Sequence, residues 1–337
     1  MKVQSILTKS LWFCFFIGLS LFYCFPANAK PLEFVKKIGN QKPFQDEQGG
    51  MEYVGFNRSG TMIIGDGKAL HGRYGTAFWS FPSGKFIKLV PAFGPHSMSL
   101  NLKYEENNSG IAEVETGKRL VSTEGNYWAA YTFSPDSHYA ARSNGRKPQG
   151  IQIFSLPDGK QVASYGQHFT TGLAISPDNR ILASGHWNIV VLRSLLTGRK
   201  IAVLRGIGRY AYRLSFSKDG KLLAVGTDAG GLQVWDVRHR RKLMDISVPG
   251  IYVTVPVFSP DKHLVAFSAY GSGTLYLADI RSGKLIDKEK ISDLICSTVA
   301  FSPDGRYLVA PSTGGLIKWP YDYGGTIRVF KLNASKN

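Results

Sequence analysis

Apolar positions in this sequence fall in short runs, each closed by turn-forming residues, and the runs recur with a long, regular period. One phrase marks that period: Phe133-Ser134-Pro135-Asp136, Ile175-Ser176-Pro177-Asp178, Phe216-Ser217-Lys218-Asp219-Gly220, Phe258-Ser259-Pro260-Asp261 and Phe301-Ser302-Pro303-Asp304-Gly305. The leading residues stand 42, 41, 42 and 43 positions apart. Phe56-Asn57-Arg58-Ser59-Gly60 is a worn copy 77 residues before Phe133, and Met98 to Leu100 supplies a degraded anchor between them. After each phrase comes an apolar strand such as Leu222–Val225 or Tyr307–Ala310, then a Gly-led strand such as Gly231–Asp236. A tight turn follows that ends in Gly and a basic residue: Gly84-Lys85, Gly117-Lys118, Gly159-Lys160, Gly198-Arg199, Gly283-Lys284. In the phrase itself, Pro presets φ, Asp bonds nearby amides, Gly takes the φ > 0 position and Phe anchors the preceding strand in the core. Four short strands per repeat, with turn residues at fixed offsets, predict an all-β protein built from propeller blades.

The unit resembles a WD40 repeat. Trp235-Asp236 is an intact copy of that family's signature dipeptide, while Trp79-Ser80, Phe154-Ser155, Leu192-Arg193, Ala278-Asp279 and Phe330-Lys331 occupy the slot elsewhere. The family's Gly-His pair is essentially missing, so its hydrogen-bonded tetrad is not expected. The resemblance implies a single seven-bladed propeller over residues 30–337, with anchors near 56, 98, 133, 175, 216, 258 and 301. The last blade shows strands near Ser297–Phe301, Arg306–Ala310 and Thr326–Leu332, leaving its outer strand to be donated by Leu32–Ile38. Such a closure hides an otherwise unpaired edge. A more distant similarity, through the Ser-Pro-Asp-Gly phrase, is to TolB-like propellers. Those have six blades behind an additional N-terminal domain, for which this chain has no room.

Residues 1–29 read as a secretory signal peptide: Lys2 and Lys9, an apolar run from Leu11 to Phe25, and Ala27-Asn28-Ala29 as the cleavage pattern. The mature chain is then expected to be periplasmic or secreted, without a transmembrane segment, and monomeric. Hydrophobic residues make 43% of the sequence and aromatics 12%, too apolar for a disordered chain. Cys14 and Cys24 lie in the leader, so Cys296 has no internal disulfide partner. The formal charge is +17. That charge favours acidic partners, but no aromatic-basic motif for nucleic acid accompanies it, and none is expected as a ligand.

Searches for catalytic and metal signatures return nothing: no Cys-x-x-Cys, no His-Glu-x-x-His, no Gly-x-Ser-x-Gly and no Walker-type Gly-Lys-Ser/Thr. Gly206-Ile207-Gly208-Arg209-Tyr210-Ala211 matches a dinucleotide fingerprint in letters but leads into a strand, so no helix N-terminus awaits a pyrophosphate. The expected inner strands (Glu52–Phe56, Ser97–Leu100, Ala129–Phe133, Thr171–Ile175, Tyr212–Phe216, Thr254–Phe258, Ser297–Phe301) carry only Glu52 and Arg213 as charges. No catalytic residue, cofactor or metal is expected.

Two sets of binding candidates remain. In the family's geometry the phrase turns and Gly-basic turns share one face, on which Arg199, Lys200, Arg238, Arg240, Arg241 and Lys242 form the densest basic stretch. Loops on the opposite face are expected to carry His71, Arg73, Tyr127, Trp128, Trp187 and Tyr210, joined by Trp319, Tyr321 and Tyr323 in a long final loop, Pro311 to Gly325. That loop either binds a partner or packs its own aromatics into the channel mouth. Exposed aromatics with Arg carry much of the energy of protein interfaces. The expected function is a non-enzymatic, exported scaffold for an extracytoplasmic protein or peptide, with acidic partners suited to the basic face. The alternatives are a propeller for glycan or anionic cell-envelope polymer and, third, a propeller enzyme or redox accessory.

Overall fold

Each repeat becomes a small antiparallel sheet because its apolar runs are short and its turns are fixed by local hydrogen bonds. The structure, a computed structural model, describes residues 30–38, 51–68, 74–91, 97–99, 103–107, 110–114, 116–122, 130–143, 150–166, 170–228, 230–251, 253–291, 298–312 and 326–333. Among them all helix and strand assignments are β. The first strand is β1 (Leu32–Ile38). A first sheet holds β2 (Met51–Phe56), β3 (Met62–Lys68), β4 (Tyr74–Ser80) and β5 (Phe86–Pro91). The second holds β6 (Ser97–Met98), β7 (Tyr104–Asn107), β8 (Gly110–Glu113) and β9 (Arg119–Ser122). The third holds β10 (Tyr131–Phe133), β11 (Tyr139–Ser143), β12 (Ile151–Ser155) and β13 (Gln161–Tyr165).

A seven-stranded sheet follows, with β14 (Gly172–Ile175), β15 (Ile181–Gly185), β16 (Trp187–Ser194), β17 (Lys200–Phe216), β18 (Leu222–Thr227), β19 (Gly231–Asp236) and β20 (Arg241–Ser247). Next come β21 (Val257–Phe258), β22 (Leu264–Ala269), β23 (Thr274–Asp279) and β24 (Lys284–Lys290). The terminal sheet joins β25 (Ala300–Phe301), β26 (Tyr307–Ser312) and β27 (Thr326–Leu332) to β1, in the order β1-β27-β26-β25. The expected donation by the N-terminal strand is therefore present as pairing, from Leu32 opposite Leu332 to Ile38 opposite Ile327.

Several strand boundaries differ from the sequence expectation, among them the strand expected over Ser297–Phe301, which pairs only at Ala300–Phe301. The inner strand expected to begin at Tyr212 instead continues unbroken from Lys200, so β17 is the outer strand of one four-stranded array and the first strand of the next. Gly206 and Gly208, at φ +82° and +89°, let the chain jog without leaving the sheet. Conversely, the strand expected over Thr254–Phe258 pairs as a strand only at Val257–Phe258. Pro256 has no N–H to give to the ladder.

Apolar seams join the sheets. The phrase's leading residues enter them as expected: Ile175, Phe258 and Phe301 are buried, and Phe56, Phe133 and Phe216 pack from the edges. Ile38, Val54, Ile63, Trp79, Val309 and Ile327 fill the seam between the first and terminal sheets. First strands succeed one another in space, β2 beside β25, then β21, β17, β14, β10 and β6.

The phrase turn is held by a residue the pattern alone undervalues, its serine. Ser134, Ser176, Ser217, Ser259 and Ser302 each donate Oγ–H to the Asp two residues on, at 2.5–2.7 Å. Each also accepts the amide five residues on, at 2.9–3.0 Å. In the worn copy Asn57 Oδ1 takes the Met62 amide at 2.9 Å. Two of the aspartates bridge to the following repeat, Asp136 from Asn179 and Asp219 from Lys262 at 2.6 Å. Burial pulls Asp219 upward, yet the hydrogen bonds from Lys262, Ser217 and the Lys221 amide bring it down to about 2.

Candidate interaction surface

Strand direction sorts the candidate residues onto two ends of the sheets. The phrase turns and Gly-basic turns meet, since Leu195 N–H donates to Arg180 O and Val237 N–H to Lys221 O, each at 2.9 Å. At this end Arg199 and Lys200 follow Gly198, and Arg238 and Arg240 lie in the turn before β20, which opens with Arg241 and Lys242. The structure tempers this basic cluster. Lys242 Nζ is held by Asp245 at 2.5 Å, and His239, between Arg238 and Arg240, bonds Asp236 at 3.0 Å. Arg240 adopts φ +56° where other turns place glycine, such as Gly198 at +68°.

Trp187 and Tyr210 sit at the opposite end. Both were expected on loops, but Trp187 opens β16 and Tyr210 lies within β17, directly paired with it. The correction has a physical reason: the jog at Gly206 and Gly208 keeps the hairpin paired beyond the regular repeat. Asn188 Oδ1 accepts the Gly208 N–H at 2.9 Å and fixes the hairpin further. The rings pack edge to face with centroids 4.3 Å apart, and Tyr212 lies 5.8 Å beyond Tyr210. Trp187 nevertheless stays 62% exposed. A strand-mounted aromatic ledge is more rigid than loop-borne rings and loses less entropy on binding. His71, Arg73, Tyr127, Trp128, Trp319, Tyr321 and Tyr323 lie outside the described residues, as do Cys296 and the whole leader. The structure thus brings together one pair, Trp187 and Tyr210, from the aromatic candidates.

Sequence reading missed a buried polar cluster. Glu105 and Glu106 on β7 are 2% and 1% exposed, Arg142 on β11 is 6% exposed, and Tyr131 on β10 pairs with Arg142 across the third sheet. The signal was available by counting from each phrase serine. Six and seven residues after it stand Ala140-Ala141, Leu182-Ala183, Leu223-Ala224, Val265-Ala266 and Leu308-Val309; after Ser99 stand Glu105-Glu106. Burial pushes Glu106 up to about 9 against the attraction of Arg142. Tyr131 is raised by burial and by Glu106. On the first sheet, burial and Asp66 push Tyr53 up to about 12.

At β19, Trp235 Nε1 donates to Gln233 Oε1 at 3.0 Å, and Gln233 Nε2 reaches Ile207 O and Asp245 Oδ2 at 3.3 Å. The signature tryptophan is thereby tied to the neighbouring strands. The model of the WD domain, G-beta repeat, matches residues 198–236, the segment that ends at Trp235-Asp236. Proteins named for WD repeats match it as well. The chain carries a WD40 repeat over residues 198–236 and is similar to proteins named for such repeats. It is 27% identical over 172 residues to WD repeat-containing protein SL1-17 of Schistosoma mansoni, covering 50% of this chain and 56% of that one. It is 32% identical over 121 residues to WD repeat-containing protein 55 of Bos taurus, covering 34% and 31%. The Protein LST8 homolog of Drosophila melanogaster is 25% identical over 146 residues, covering 42% and 45%. The WD40 segments shared with these relatives span about half of their length or less. Among the described residues, no helix is long and apolar enough to cross a membrane, and no group of three or more His, Cys, Asp or Glu is placed to hold a metal.

Proposed function

We propose that this protein is an exported, non-enzymatic scaffold whose aromatic end binds an extracytoplasmic protein or peptide. The observation that carries the reading is the Trp187–Tyr210–Tyr212 ledge, with a tryptophan 62% exposed although its β-strand is otherwise well packed. Water gains little from such a ring, whereas a partner that covers it gains its apolar area. The reading includes a closed ring of seven blades. In its support, β1 completes the terminal sheet, and Gly60 of the first repeat packs on Pro303 as Gly220 packs on Pro177 and Gly305 on Pro260. Export rests on the three-part leader in the sequence.

The test is affinity capture from cell-envelope extract with wild type and Trp187→Ala/Tyr210→Ala, the variant first checked for an unchanged unfolding midpoint. A protein captured by wild type and lost by the variant supports docking at this end. Equal capture by both moves the interface to the Arg238–Lys242 turn. Capture abolished by soluble oligosaccharide, with no protein recovered, replaces the scaffold reading by glycan binding.

A further inference from the structure

Exposed apolar side chains gather along one rim of the sheets. Among the described residues eleven large hydrophobic side chains are exposed, and nine of them lie in the outer strands β1, β5, β13, β17 and β24 or in the turn before β17. Phe86, Val162, Ile201 and Leu285 each fall in the first two residues of their strand, directly after a turn that ends in Gly and a basic residue. Leu196, 48% exposed, stands in such a turn itself, three residues before Arg199. All nine lie within three residues of a Lys or Arg, whereas Trp187 and Ile251, the remaining two, have neither within that range. A single exposed apolar residue is ordinary. The same apolar-beside-cation pairing repeated from sheet to sheet is an amphipathic rim.

Carboxylates do little to neutralise it. The outer strands β1, β5, β9, β13, β17, β20 and β24 hold four, of which Asp245 is engaged by Lys242, Glu289 by Lys30, and Asp287 by the Leu32 N–H at 2.8 Å. Arg199 and Lys200 are exposed beside Leu196 and Ile201, and Arg238, Arg240 and Arg241 are exposed in the next array. A soluble polyanion would satisfy these cations but gains nothing from the apolar side chains between them. An acidic protein would have to offer matching pockets along several strands at once. A bilayer with anionic headgroups offers both along its whole plane: phosphates meet the Lys and Arg heads, and the acyl boundary takes the side chains next to them.

We propose that the rim formed by the Gly-basic turns and the opening residues of the outer strands is a peripheral docking surface for an anionic phospholipid bilayer. Leu196, Arg199, Lys200 and Ile201, followed by the Arg238–Lys242 turn, form its densest stretch. Docking here directs the opposite end, with Trp187 and Tyr210, away from the lipid.

The experiment is co-sedimentation of the full mature chain with vesicles of phosphatidylcholine alone and of phosphatidylcholine mixed with phosphatidylglycerol, at low and high salt. Wild type is expected to pellet with the anionic vesicles only, and less so as salt rises. Arg199→Gln/Lys200→Gln is expected to weaken that binding by roughly tenfold or more. Leu196→Ser/Ile201→Ser, which leaves every charge in place, is expected to weaken it by about tenfold. Trp187→Ala/Tyr210→Ala is expected to pellet as wild type does, so this outcome is independent of what the aromatic end binds. Wild type that stays in solution with anionic vesicles would overturn the proposal. Full binding retained by Leu196→Ser/Ile201→Ser would overturn it too, leaving a polyanion surface without lipid insertion. Should either rim variant not fold, quenching by brominated phosphatidylglycerol decides the question: the fluorescence added by Leu196→Trp is expected to be quenched, and its persistence would overturn the proposal.

Discussion

Replacing Ser217 by alanine removes the hub of one phrase turn without touching the apolar core. Ser217 is fully buried. Its Oγ–H donates to the Asp219 carboxylate at 2.7 Å, and its lone pair takes the Leu222 N–H at 3.0 Å. A hydrogen bond to a charged group contributes about 1.5–3 kcal/mol, and stranding a buried amide costs about 1–3 kcal/mol. Local relaxation recovers part of this, so the expected loss is about 2–4 kcal/mol. That is a sizeable fraction of a stability of roughly 5–15 kcal/mol. The change reaches the next repeat as well, because Asp219 also holds Lys262. Urea unfolding followed by tryptophan fluorescence measures it, with a lowered midpoint at unchanged slope. The first repeat supplies an internal control: Asn57 takes the equivalent amide through Oδ1, so Ser217→Asn is expected to lose less than Ser217→Ala. A loss below about 0.5 kcal/mol for Ser217→Ala would refute the reasoning and reduce the serine to a turn-compatible filler.

Other consequences follow from the same geometry. Asp136 and Asp219 lie down at about 2 through their hydrogen bonds, so they stabilise the fold above the unfolded aspartate range and that contribution disappears as pH falls toward 2; Asp219→Asn is expected to flatten the acid limb of a stability–pH profile. Glu106 behaves oppositely. Raised to about 9, it favours the fold most at low pH, and stability falls as pH rises from about 4.5 to about 9, by at most ~1.4 kcal/mol per pH unit; Glu106→Gln removes that slope, and equal slopes in urea titrations would contradict the burial argument. Gly198 and Gly283 share φ near +67°, but an added Cβ at Gly198 meets the Tyr165 ring at 2.6 Å whereas Gly283 faces open space. Calorimetry should therefore find Gly283→Ala costing about 1–2 kcal/mol from backbone strain, and Gly198→Ala distinctly more.

The period of Phe-Ser-Pro-Asp determined the all-β class and the placement of repeats, and a Gly-basic turn could be read wherever only positive φ closes the strand pair. Leu32–Ile38 was legible as the partner of Thr326–Leu332 because edge strands need covering, and that requirement is local in origin. What the sequence could not determine depends on neighbours distant along the chain. Trp187 and Tyr210 read as loop residues, since nothing in the pattern foretells that two glycines would carry β17 through the junction of two arrays. Asn179 and Lys262 became partners of aspartates 43 residues earlier only once adjacent turns were stacked. Glu105 and Glu106 stood in plain view as charges at apolar positions of the repeat. Whether a carboxyl there meets water, Arg142 or another carboxylate is decided by burial and by which face of the strand it occupies. Local pattern fixes hydrogen-bonded turns, because their atoms lie within five residues; the state of a charge is set by everything packed around it, and that is a property of the tertiary structure alone.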